Sequence, residues 1–548
     1  ERLIEHIGNH YPDLNIEYIA NDIYDKTNNI YSLWLARHRL AEGDTLLLES
    51  DLIFDKSLIK EVLDCPEQNV AVISQFESWM DGTVTLVNEE SRIVNVIEKR
   101  YFRWSDISTY YKTVNIYKFS CDFMNRFYLP FLDAYLKAFG NNIYYEQVIK
   151  VLAFFDEVNL FGYKIKGNRW YEIDDPHDLA VAETLFSPAE QKLNLMSERY
   201  GGYWRFPSLR DFCYLVNPYF PVPAMIEEFK TSFPDLLNHY PSGARIQSQL
   251  AGKIFNLSES LVVVGNGAAE IIDRLFSSIL DGTVVCPVPT FNEYPWRIGD
   301  KRFIAMRVSD ANFEYSVDDL IHGLEKGASI AILVNPDNPS GHFLQQTEVR
   351  RLVSRAGEMG RKVVVDESFA DFADSGDRFT LLDESYLREN PHLTVLRSIS
   401  KSYGVPGCRI GLAASGDEAR MSLLRKSFPV WNINSFGEFF LQIFDKYKED
   451  YYKSCNQIAA ERNRFFALLA AIPGLIAYPS AANYIMCRID FGKISAHDLA
   501  TKLLDENGIL IKDLTSKAGF DNGEYIRVAV KNREDNNYIL SQLAKILS

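Results

Sequence analysis

The sequence predicts an α/β protein made of two successive units, each with a sheet that helices cover. Three observations predict this fold class. Short apolar segments of strand length alternate with segments of helical periodicity along the chain. Acidic or other polar residues directly follow several of the apolar segments, at the position where open α/β sheets bind ligands. The 548 residues also exceed one ordinary domain, and a hydrophobic content of 47% is sufficient for more than one core.

The net charge and the cysteine content indicate what kind of protein this is and which partners it lacks. The formal net charge is -16 at pH 7 and there is no long Lys/Arg cluster, which argues against a nucleic-acid partner and suits an enzyme of small molecules. The seven cysteines are dispersed with no C-x-x-C pair, as is typical of reduced thiols in a cytoplasmic protein. No apolar run approaches the length of a membrane span and no signal peptide opens the sequence, so we expect no membrane contact.

The first half of the chain places two aspartates at predicted strand ends. Asp51 follows the apolar segment 44–50, and Asp174 ends the segment 170–174. Together they could hold one Mg²⁺, which proteins usually bind through carboxylates and substrate phosphates. The alternative is that Asp51 starts a turn and Asp174 caps the next helix. The predicted elements of this half are strands at 16–20, 44–50, 70–73, 83–87, 92–99 and 113–119, and helices at 29–38, 121–136, 144–153 and 177–185.

The second half contains a lysine at the end of a predicted strand. The apolar segment 394–396 leads into a polar turn that carries Ser398, Ser400 and Lys401. Lys401 could form a Schiff base there, because desolvation lowers the pKa of an amine. Ser398 and Arg409, the latter eight residues after the lysine, could bind a phosphate. Alternatively, Lys401 is a solvated loop residue, since the pattern S-x-S-K is short and common.

Other strand ends in this half supply groups that suit one cofactor. Asp366 could pair with a protonated pyridine nitrogen, and Asn338 could bond a ring hydroxyl. Gly267 and Ala268 could present backbone amides to a phosphate at a helix N-terminus. With Lys401 for the aldehyde carbon, this set is what pyridoxal 5′-phosphate requires of its protein, and it outweighs the loop alternative for the lysine. The predicted strands of this half lie at 261–264, 283–286, 329–334, 362–365 and 394–396.

Residues 1 to about 187 resemble the sugar-phosphate and choline-phosphate nucleotidyltransferases, through NNIYSLWLAR, LLLESDLIFD, VIEKR, TVNIYKFS and WYEIDDPHDLAVAE. The resemblance implies a Rossmann-like sheet that joins a nucleoside triphosphate to a phosphorylated alcohol. It also implies Asp51 and Asp174 as Mg²⁺ ligands and Lys99 as a contact to the substrate phosphate. The family's Gly-rich triphosphate loop, G-x-G-x-R, is absent. Because the sequence opens at Glu1 within a helix-like segment, we expect that loop upstream and no nucleotide transfer by the sequence as it stands. The alternative is a domain that serves as a non-catalytic interaction module.

Residues 206–548 resemble the fold-type I, class I and II aminotransferases, and among them histidinol-phosphate aminotransferase and threonine-phosphate decarboxylase. The resemblance implies a large α/β/α domain and a small α+β domain, the latter formed by about 206–235 and 435–548. Residues 188–205 are charged and contain a Gly-Gly pair, and they are predicted to be a linker. The segments that carry the resemblance are NPYFP, HYPSG, VVGNGAAE, PVPTFNEY, NPDNPSG, VVVDESFADF, VLRSISKSYGVPGCRIG, AANYI and YIRVAV.

The same resemblance assigns roles to residues at matching positions. Lys401 would be the Schiff-base lysine, Asp366 the partner of the pyridinium nitrogen and Phe291 the ring that stacks on the cofactor. Arg527 would bind the substrate carboxylate. Tyr240 would reach the cofactor phosphate of a neighbouring subunit, which implies a homodimer. Further predicted contacts are Ala269 and Ser400 to the cofactor and Asn217 to the substrate.

Three features favour decarboxylation of a small phosphorylated amino acid over transamination. Phe369 stands where many of the aminotransferases have tyrosine, and V-P-G at 405–407 and W-N-I-N at 431–434 resemble the decarboxylases. A transaminase of the histidinol-phosphate type is the alternative, because the two reactions differ in which bond at Cα stands perpendicular to the ring. Loss of CO₂ would leave an amino-alcohol phosphate, which a CTP-dependent nucleotidyltransferase domain could then activate.

Overall fold

The computed structural model describes residues 2–97, 99–155, 157–308, 312–490, 492–520 and 523–548. The chain divides into two units, Glu1–Ser187 and Pro188–Ser548. Within the described ranges, no helix combines the length and the apolar character that crossing a membrane requires.

The first unit alternates short strands and helices. Its strands are β1 (Thr45–Leu48), β2 (Leu52–Phe54), β3 (Val70–Gln75), β4 (Val84–Val87), β5 (Ile93–Ile97), β6 (Tyr111–Phe119), β7 (Phe161–Lys164) and β8 (Trp170–Glu172). Its helices are α1 (Arg2–His10), α2 (Asn29–Leu35), α3 (Arg37–Leu40), α4 (Lys56–Asp64), α5 (Cys121–Phe123), α6 (Leu129–Phe139), α7 (Glu146–Leu152) and α8 (Pro176–Phe186).

Six of these strands form a mixed sheet in the order β5-β4-β6-β3-β7, with β1 also paired to β6. Strands β3 and β7 are parallel, whereas β1, β3 and β4 are all antiparallel to β6. A separate antiparallel ribbon joins β2 to β8. The resemblance predicts a Rossmann-like sheet. The observed sheet contains both parallel and antiparallel pairs, so the Rossmann-like description stays a prediction.

The structure does not bear out one predicted strand of the first unit, and it does not describe the side chain of one predicted site residue. Residues 16–20 do not form the predicted strand: they have no regular secondary structure and all are exposed. Ile16, Tyr18 and Ile19 have the composition of a strand, but no described strand pairs with them, and an unpaired strand cannot satisfy its backbone. Lys99 begins a short 3₁₀ turn, Lys99–Tyr101, and its side chain lies outside what the structure describes.

The second unit contains three sheets and the longest helices. Its strands are β9 (Arg210–Asp211), β10 (Val262–Asn266), β11 (Val284–Val288), β12 (Phe303–Arg307), β13 (Ile330–Val334), β14 (Lys362–Asp366), β15 (Leu393–Ser398), β16 (Ile410–Ala414), β17 (Leu475–Ala477), β18 (Tyr484–Ile489), β19 (Ile509–Leu510), β20 (Lys512–Asp513) and β21 (Glu524–Ala529). Its helices are α9 (Ala189–Glu198), α10 (Pro223–Asn238), α11 (Ala244–Phe255), α12 (Gly267–Arg274), α13 (Glu293–Ile298), α14 (Val317–Glu325), α15 (Gln346–Glu358), α16 (Glu384–Glu389), α17 (Ile399–Ser402), α18 (Glu418–Ser427), α19 (Ser435–Ile443), α20 (Lys448–Ala470), α21 (Ala496–Asn507) and α22 (Arg533–Leu547).

The main sheet has seven strands in the order β10-β16-β15-β14-β13-β11-β12. Strands β15 to β12 in this order are parallel, and β16 is antiparallel to both of its neighbours. Alternate residues of β13 pack into two different cores, with Ala331 and Leu333 on one face and Ile330 and Ile332 on the other. Both faces are therefore covered, as is typical of a parallel α/β sheet. The prediction of a mostly parallel sheet wrapped by helices is confirmed.

A smaller antiparallel sheet, in the order β17-β18-β21-β20, lies towards the C-terminal end of the chain. It sets Arg527 of β21 directly opposite Lys512 of β20. Residues 188–205, predicted as a linker, include helix α9, in which Leu193 and Met196 are buried. Leu193 and Met196 are three residues apart and so lie on the same face of the helix. Their burial shows that this face of α9 packs against the protein.

Candidate active site

Lys401 lies just after the carboxyl end of the main sheet. Strand β15 ends at Ser398, and the single turn α17 then presents the lysine. Its Nζ atom is 4.8 Å from the ring centroid of Phe291 and 4.7 Å from that of Phe369. Burial between these rings lowers the pKa of Lys401 to about 8; the charge of Asp366 opposes this effect and that of Arg527 adds to it. A neutral amine is thus available there near physiological pH.

Asp366 ends β14, the strand beside β15, and is almost fully buried. Its carboxylate accepts hydrogen bonds from the Tyr294 hydroxyl at 2.7 Å and from the Ser368 backbone N–H at 2.9 Å, and the Ser368 hydroxyl also donates to it. These neutral donors hold the carboxylate in place without cancelling its charge. It can therefore still stabilise a cation, such as a protonated ring nitrogen.

A cradle for an anion lies at the N-terminus of α12. Gly267 has a φ of 78°, and a Cβ there would come 2.7 Å from Nη2 of Arg409. A Cβ on Gly411, in β16, would lie 2.4 Å from the backbone nitrogen of Ala268. The glycines thus allow a guanidinium and the first amides of a helix to approach the same place. That arrangement suits a phosphate, which a helix N-terminus and an arginine both favour.

Arg527 lies in β21 of the small sheet, and its charge acts on Lys401. Its Nη1 donates to Oδ1 of Asn338 at 2.7 Å and its Nη2 to the carbonyl of Cys213 at 2.8 Å. Its buried Nε has no hydrogen-bond partner among the described residues. Burial lowers the pKa of this arginine. A half-buried cation with unused donors is suited to bind a carboxylate as a fork.

Two predicted ligands use their side chains within the fold. Asn217 is buried; its amide donates to the Ser402 carbonyl and to the Ser454 hydroxyl, both at 2.9 Å, and its carbonyl accepts from the Tyr219 N–H. Because its own N–H also donates to the Lys401 carbonyl, Asn217 anchors the lysine turn. Its predicted contact to substrate has no support in this geometry, since both of its amide donors are already engaged.

The remaining predicted cofactor contacts lie at the end of β15, in α17 and in the first turn of α12. The Ser400 hydroxyl bonds the backbone of Ile410 on both its N–H and its carbonyl, at 3.3 and 3.4 Å. Ser398 is buried at the end of β15, and Ala268 and Ala269 are half-buried in the first turn of α12. Ser400 therefore holds β16 near the lysine, and its direct contact to a cofactor stays a prediction.

Tyr240 is 79% exposed, and its ring stacks on that of Trp431 with centroids 4.3 Å apart. A large exposed pair of rings fits a residue that reaches into a second subunit. The homodimer that the resemblance implies stays a prediction, as does the role of Tyr240 in it.

Sequence reasoning missed three side chains of this site. Tyr294 follows Phe291 by three residues, and its N–H donates to the Phe291 carbonyl in the turn that leads into α13; that spacing was the available signal. Ser368 follows Asp366 by two residues. Lys517 gave no signal: it lies on the loop between β20 and β21, and its Nζ donates to Oδ1 of Asn292. Burial lowers the pKa of Lys517 to about 7, and the charge of Arg527 adds to the shift.

The first unit has an acidic cluster of its own. Among the described residues, Glu49, Asp51 and Glu172 each offer an oxygen within 4.8 Å of the others. Asn115 donates to Glu49 at 2.7 Å and to Glu172 at 3.0 Å, and the buried Lys112 pairs with Glu172 at 3.0 Å. Burial raises the pKa of Glu49 and of Glu172, because neither charge is fully compensated.

The predicted pair Asp51 and Asp174 is only partly brought together. Oδ1 of Asp51 is buried with no hydrogen-bond partner among the described residues, which is an environment that fits a cation. Asp174 is largely exposed, and its pKa is raised first by the partial desolvation that remains and then by the charges of Asp178 and Asp51. The alternative that Asp174 caps the next helix is wrong, because Asp175 accepts the N–H bonds of His177 and Asp178 at the start of α8.

Pyridoxal 5′-phosphate fits the groups around Lys401. The amine suits its aldehyde, the buried Asp366 suits its ring nitrogen, and the glycine cradle beside Arg409 suits its phosphate. The cradle is open because Gly267 lacks a Cβ.

The comparisons place similarity in both halves of the chain. A CMP-5′-(3-aminopropyl)phosphonate synthase of Streptomyces rubellomurinus is 30% identical over 554 residues, covering 100% of this chain and 86% of that protein. An L-serine phosphate decarboxylase of Sulfurospirillum multivorans is 30% identical over 359 residues, covering 62% of this chain and 90% of that protein. The solved structure of a decarboxylase from Sulfurospirillum multivorans is similar with a TM-score of 0.56 and 26% identity, over 64% of this chain and 99% of that one.

The sequence profile of the family described as aminotransferase class I and II matches residues 211–543. Those residues span the main sheet, the lysine turn and the small sheet with Arg527. Pyridoxal 5′-phosphate is the cofactor expected of that family, in agreement with the site. The chain belongs to the class I and II aminotransferases, and it is an enzyme of that family.

Proposed function

We propose that the second unit removes the carboxylate from a small phosphorylated amino acid. We further propose that the first unit, when completed by a triphosphate loop of the kind absent from this sequence, transfers a cytidylyl group from CTP to the phosphoryl oxygen of that product and releases pyrophosphate. The observation that carries the first part is the position of Lys401, whose amine lies between two aromatic rings under the opposing charges of Asp366 and Arg527. That arrangement provides an amine of lowered pKa next to a cation that can hold a carboxylate.

The residues that would hold the cofactor have separate tasks. Lys401 would bind its aldehyde carbon, and Asp366, fixed by Tyr294, would keep the ring nitrogen protonated. Arg409 and the amides that follow Gly267 would bind the phosphate. When bound, pyridoxal 5′-phosphate supplies an electron sink for the pair of electrons left at Cα of an amino acid.

The chain's own residues decide which bond at Cα breaks. Arg527 would hold the substrate carboxylate by its free N–H groups, while its bond to Asn338 fixes the guanidinium plane. As CO₂ leaves, Nζ of Lys401 would hold the proton that returns to Cα, since its pKa of about 8 allows both protonation states near neutral pH. Phe291 and Phe369 would exclude water from this proton transfer.

Phe369 supports decarboxylation over transamination. Its ring is buried, lies edge-on to Tyr484 with centroids 5.2 Å apart, and stands 4.7 Å from Nζ of Lys401. A tyrosine there would place a hydroxyl near the reacting lysine, and this chain has none at that position. The similarity to a protein named L-serine phosphate decarboxylase supports the same choice.

The second step is proposed for the first unit. The similarity to a CMP-5′-(3-aminopropyl)phosphonate synthase extends over the whole chain, and that name combines a cytidine nucleotide with an amine that carries phosphorus. The acidic cluster of Glu49, Asp51 and Glu172 would hold the Mg²⁺ of such a reaction, with the orphaned Oδ1 of Asp51 as one ligand. A first unit without catalytic activity, used only for interaction, is the alternative.

A substrate panel tests the proposal. The holoenzyme is incubated with O-phospho-L-serine, O-phospho-L-threonine and 2-amino-4-phosphonobutanoate, the last because loss of its carboxylate leaves 3-aminopropylphosphonate. CO₂ release and keto-acid formation are followed, with Lys401→Ala as the blank. We expect CO₂ from at least one compound without any added keto acid. A requirement for 2-oxoglutarate, with glutamate as product, would show a transaminase instead.

A further inference from the structure

We infer that Lys517, together with Asn292, binds the phosphoryl end of the substrate and makes the site selective for amino acids that carry a doubly charged oxyanion. This inference rests on the proposed function, whose substrate it describes in more detail. It assigns a specificity role to a loop that neither the sequence pattern nor the resemblance indicated.

The loop that carries Lys517 is held against the segment that flanks the reacting lysine. Lys517 lies on the loop between β20 and β21, and this loop touches the carboxyl end of β11, since a Cβ on Gly519 would lie 2.6 Å from the nitrogen of Pro289. Lys517 Nζ donates to Oδ1 of Asn292. Asn292 directly follows Phe291, whose ring is 4.8 Å from Nζ of Lys401. The ammonium of Lys517 is therefore tied to the segment that flanks the reacting lysine.

Other positive charges act on Lys517. Burial lowers the pKa of Lys517 to about 7, and the positive charges of Arg527 and Lys512 act in the same direction. The carboxylate that opposes them is Asp337, and burial raises the pKa of that group itself to about 7. Lys517 is therefore repelled by two other cations, while Asp337 opposes its charge and Asp211 opposes that of Arg527.

The repulsion among these cations favours an anionic ligand. A half-buried cation that is held by a neutral amide costs free energy until a ligand supplies the opposite charge. Arg527 is already assigned to the α-carboxylate of the substrate. The remaining cations suit a phosphoryl group, which carries about -1.5 to -2 at pH 7, better than a second carboxylate, which carries only one charge. Phosphate esters and phosphonates share this chemistry.

A purely structural role for Lys517 makes a different prediction. Asn292 precedes helix α13, so a lysine that only held Asn292 would act by keeping Phe291 in position. Its loss would then impair every substrate alike and would lower kcat as well as raise KM. A residue that binds the phosphoryl group changes KM for phosphorylated substrates alone.

The first experiment measures this split in the holoenzyme. Steady-state kinetics with the best phosphorylated substrate of the panel are compared for wild type, Lys517→Ala and Lys517→Arg. We expect Lys517→Ala to raise KM about 10- to 100-fold with kcat within about threefold, and Lys517→Arg to restore most of the loss. Lys192→Ala, which removes a half-buried lysine paired with Asp505, is the matched control and should change neither constant. An unchanged KM in Lys517→Ala, or an equal fall in kcat, would overturn the inference.

The second experiment needs no turnover. The holoenzyme is treated with limiting acetic anhydride, which acylates neutral amines, and Lys517 labelling is measured by mass spectrometry. O-phospho-L-serine, 2-amino-4-phosphonobutanoate and inorganic phosphate should each protect Lys517, whereas L-serine should not. Equal protection by L-serine would refute a phosphoryl site. If Lys517 were protected but no compound of the panel released CO₂, the proposed reaction would be wrong while the phosphoryl site would stand.

Discussion

Replacement of Arg527 by alanine tests the proposed site most directly. The guanidinium uses Nη1 for Asn338 at 2.7 Å and Nη2 for the Cys213 carbonyl at 2.8 Å, and it retains further N–H groups for a ligand. Loss of one partner from a desolvated charge pair costs about 2–5 kcal/mol. We therefore expect kcat/KM for the amino acid to fall about 30- to 5,000-fold, with the cofactor retained.

The same substitution has a second consequence through charge alone. The positive charge of Arg527 is one cause of the lowered pKa of Lys401, because a nearby cation disfavours the protonated amine. Removal of that charge must raise the pKa of Lys401 from about 8 towards its ordinary value. The reaction of cofactor-free enzyme with pyridoxal 5′-phosphate, which needs the neutral amine, should then have its midpoint at higher pH than in wild type.

The assay follows CO₂ release and bound cofactor for each variant at several pH values. Arg527→Lys keeps the charge but loses the planar fork, so it should recover the pH midpoint while recovering little of kcat/KM. Arg488→Ala serves as the matched control, because Arg488 is a half-buried arginine of the same sheet, opposite Tyr525. If Arg527→Ala lost the cofactor, or kept kcat/KM within threefold, the assignment of the carboxylate to Arg527 would be refuted.

Three further substitutions test the cofactor site. Lys401→Ala should abolish the linkage that borohydride fixes covalently, as measured by mass spectrometry; a linkage that persists would identify another lysine. Tyr294→Phe removes the 2.7 Å hydrogen bond to Asp366 and should weaken cofactor binding about 10- to 100-fold in a fluorescence titration; unchanged affinity would contradict that bond. Gly267→Ala should weaken cofactor binding about tenfold or more, because a Cβ would meet Arg409 at a φ of 78°. Gly360→Ala, at a φ of 64° with open surroundings, controls for strain alone; an equal effect there would refute the steric argument.

The main sheet was predictable because its central strands are buried on both faces. Such strands appear as continuous apolar runs, as in Ile330–Val334, and parallel pairing requires helices between them. Strand β16 was not predicted, since its Ile-Gly-Leu-Ala-Ala sequence has neither alternation nor β-branched enrichment. Residues 16–20 show the opposite error, because apolar composition does not reveal whether a partner strand exists.

Residues of the site could be predicted from the sequence only where they lie at or just after the end of a strand. Asp366 ends β14, and Lys401 lies in the turn that directly follows the adjacent parallel strand β15, so their closeness follows from topology. Lys517 and Asn292 meet through a loop contact between distant parts of the chain, which no local pattern encodes. Asn217 was predicted to contact substrate, but a motif does not reveal which way an amide points; in the fold it bonds the lysine turn.

The antiparallel strand β16 also has a consequence for synthesis and folding. In the main sheet β10 pairs with β16 and with no other described strand, and β16 in turn joins it to β15. While the ribosome makes the chain, Val262–Asn266 must therefore wait without a partner until Ile410–Ala414 has emerged. An apolar strand with an open edge is a template for aggregation. Since Gly411 brings β16 against the Gly267–Ala268 turn, a ligand in that cradle would hold the late strand in place and so protect the newly completed sheet.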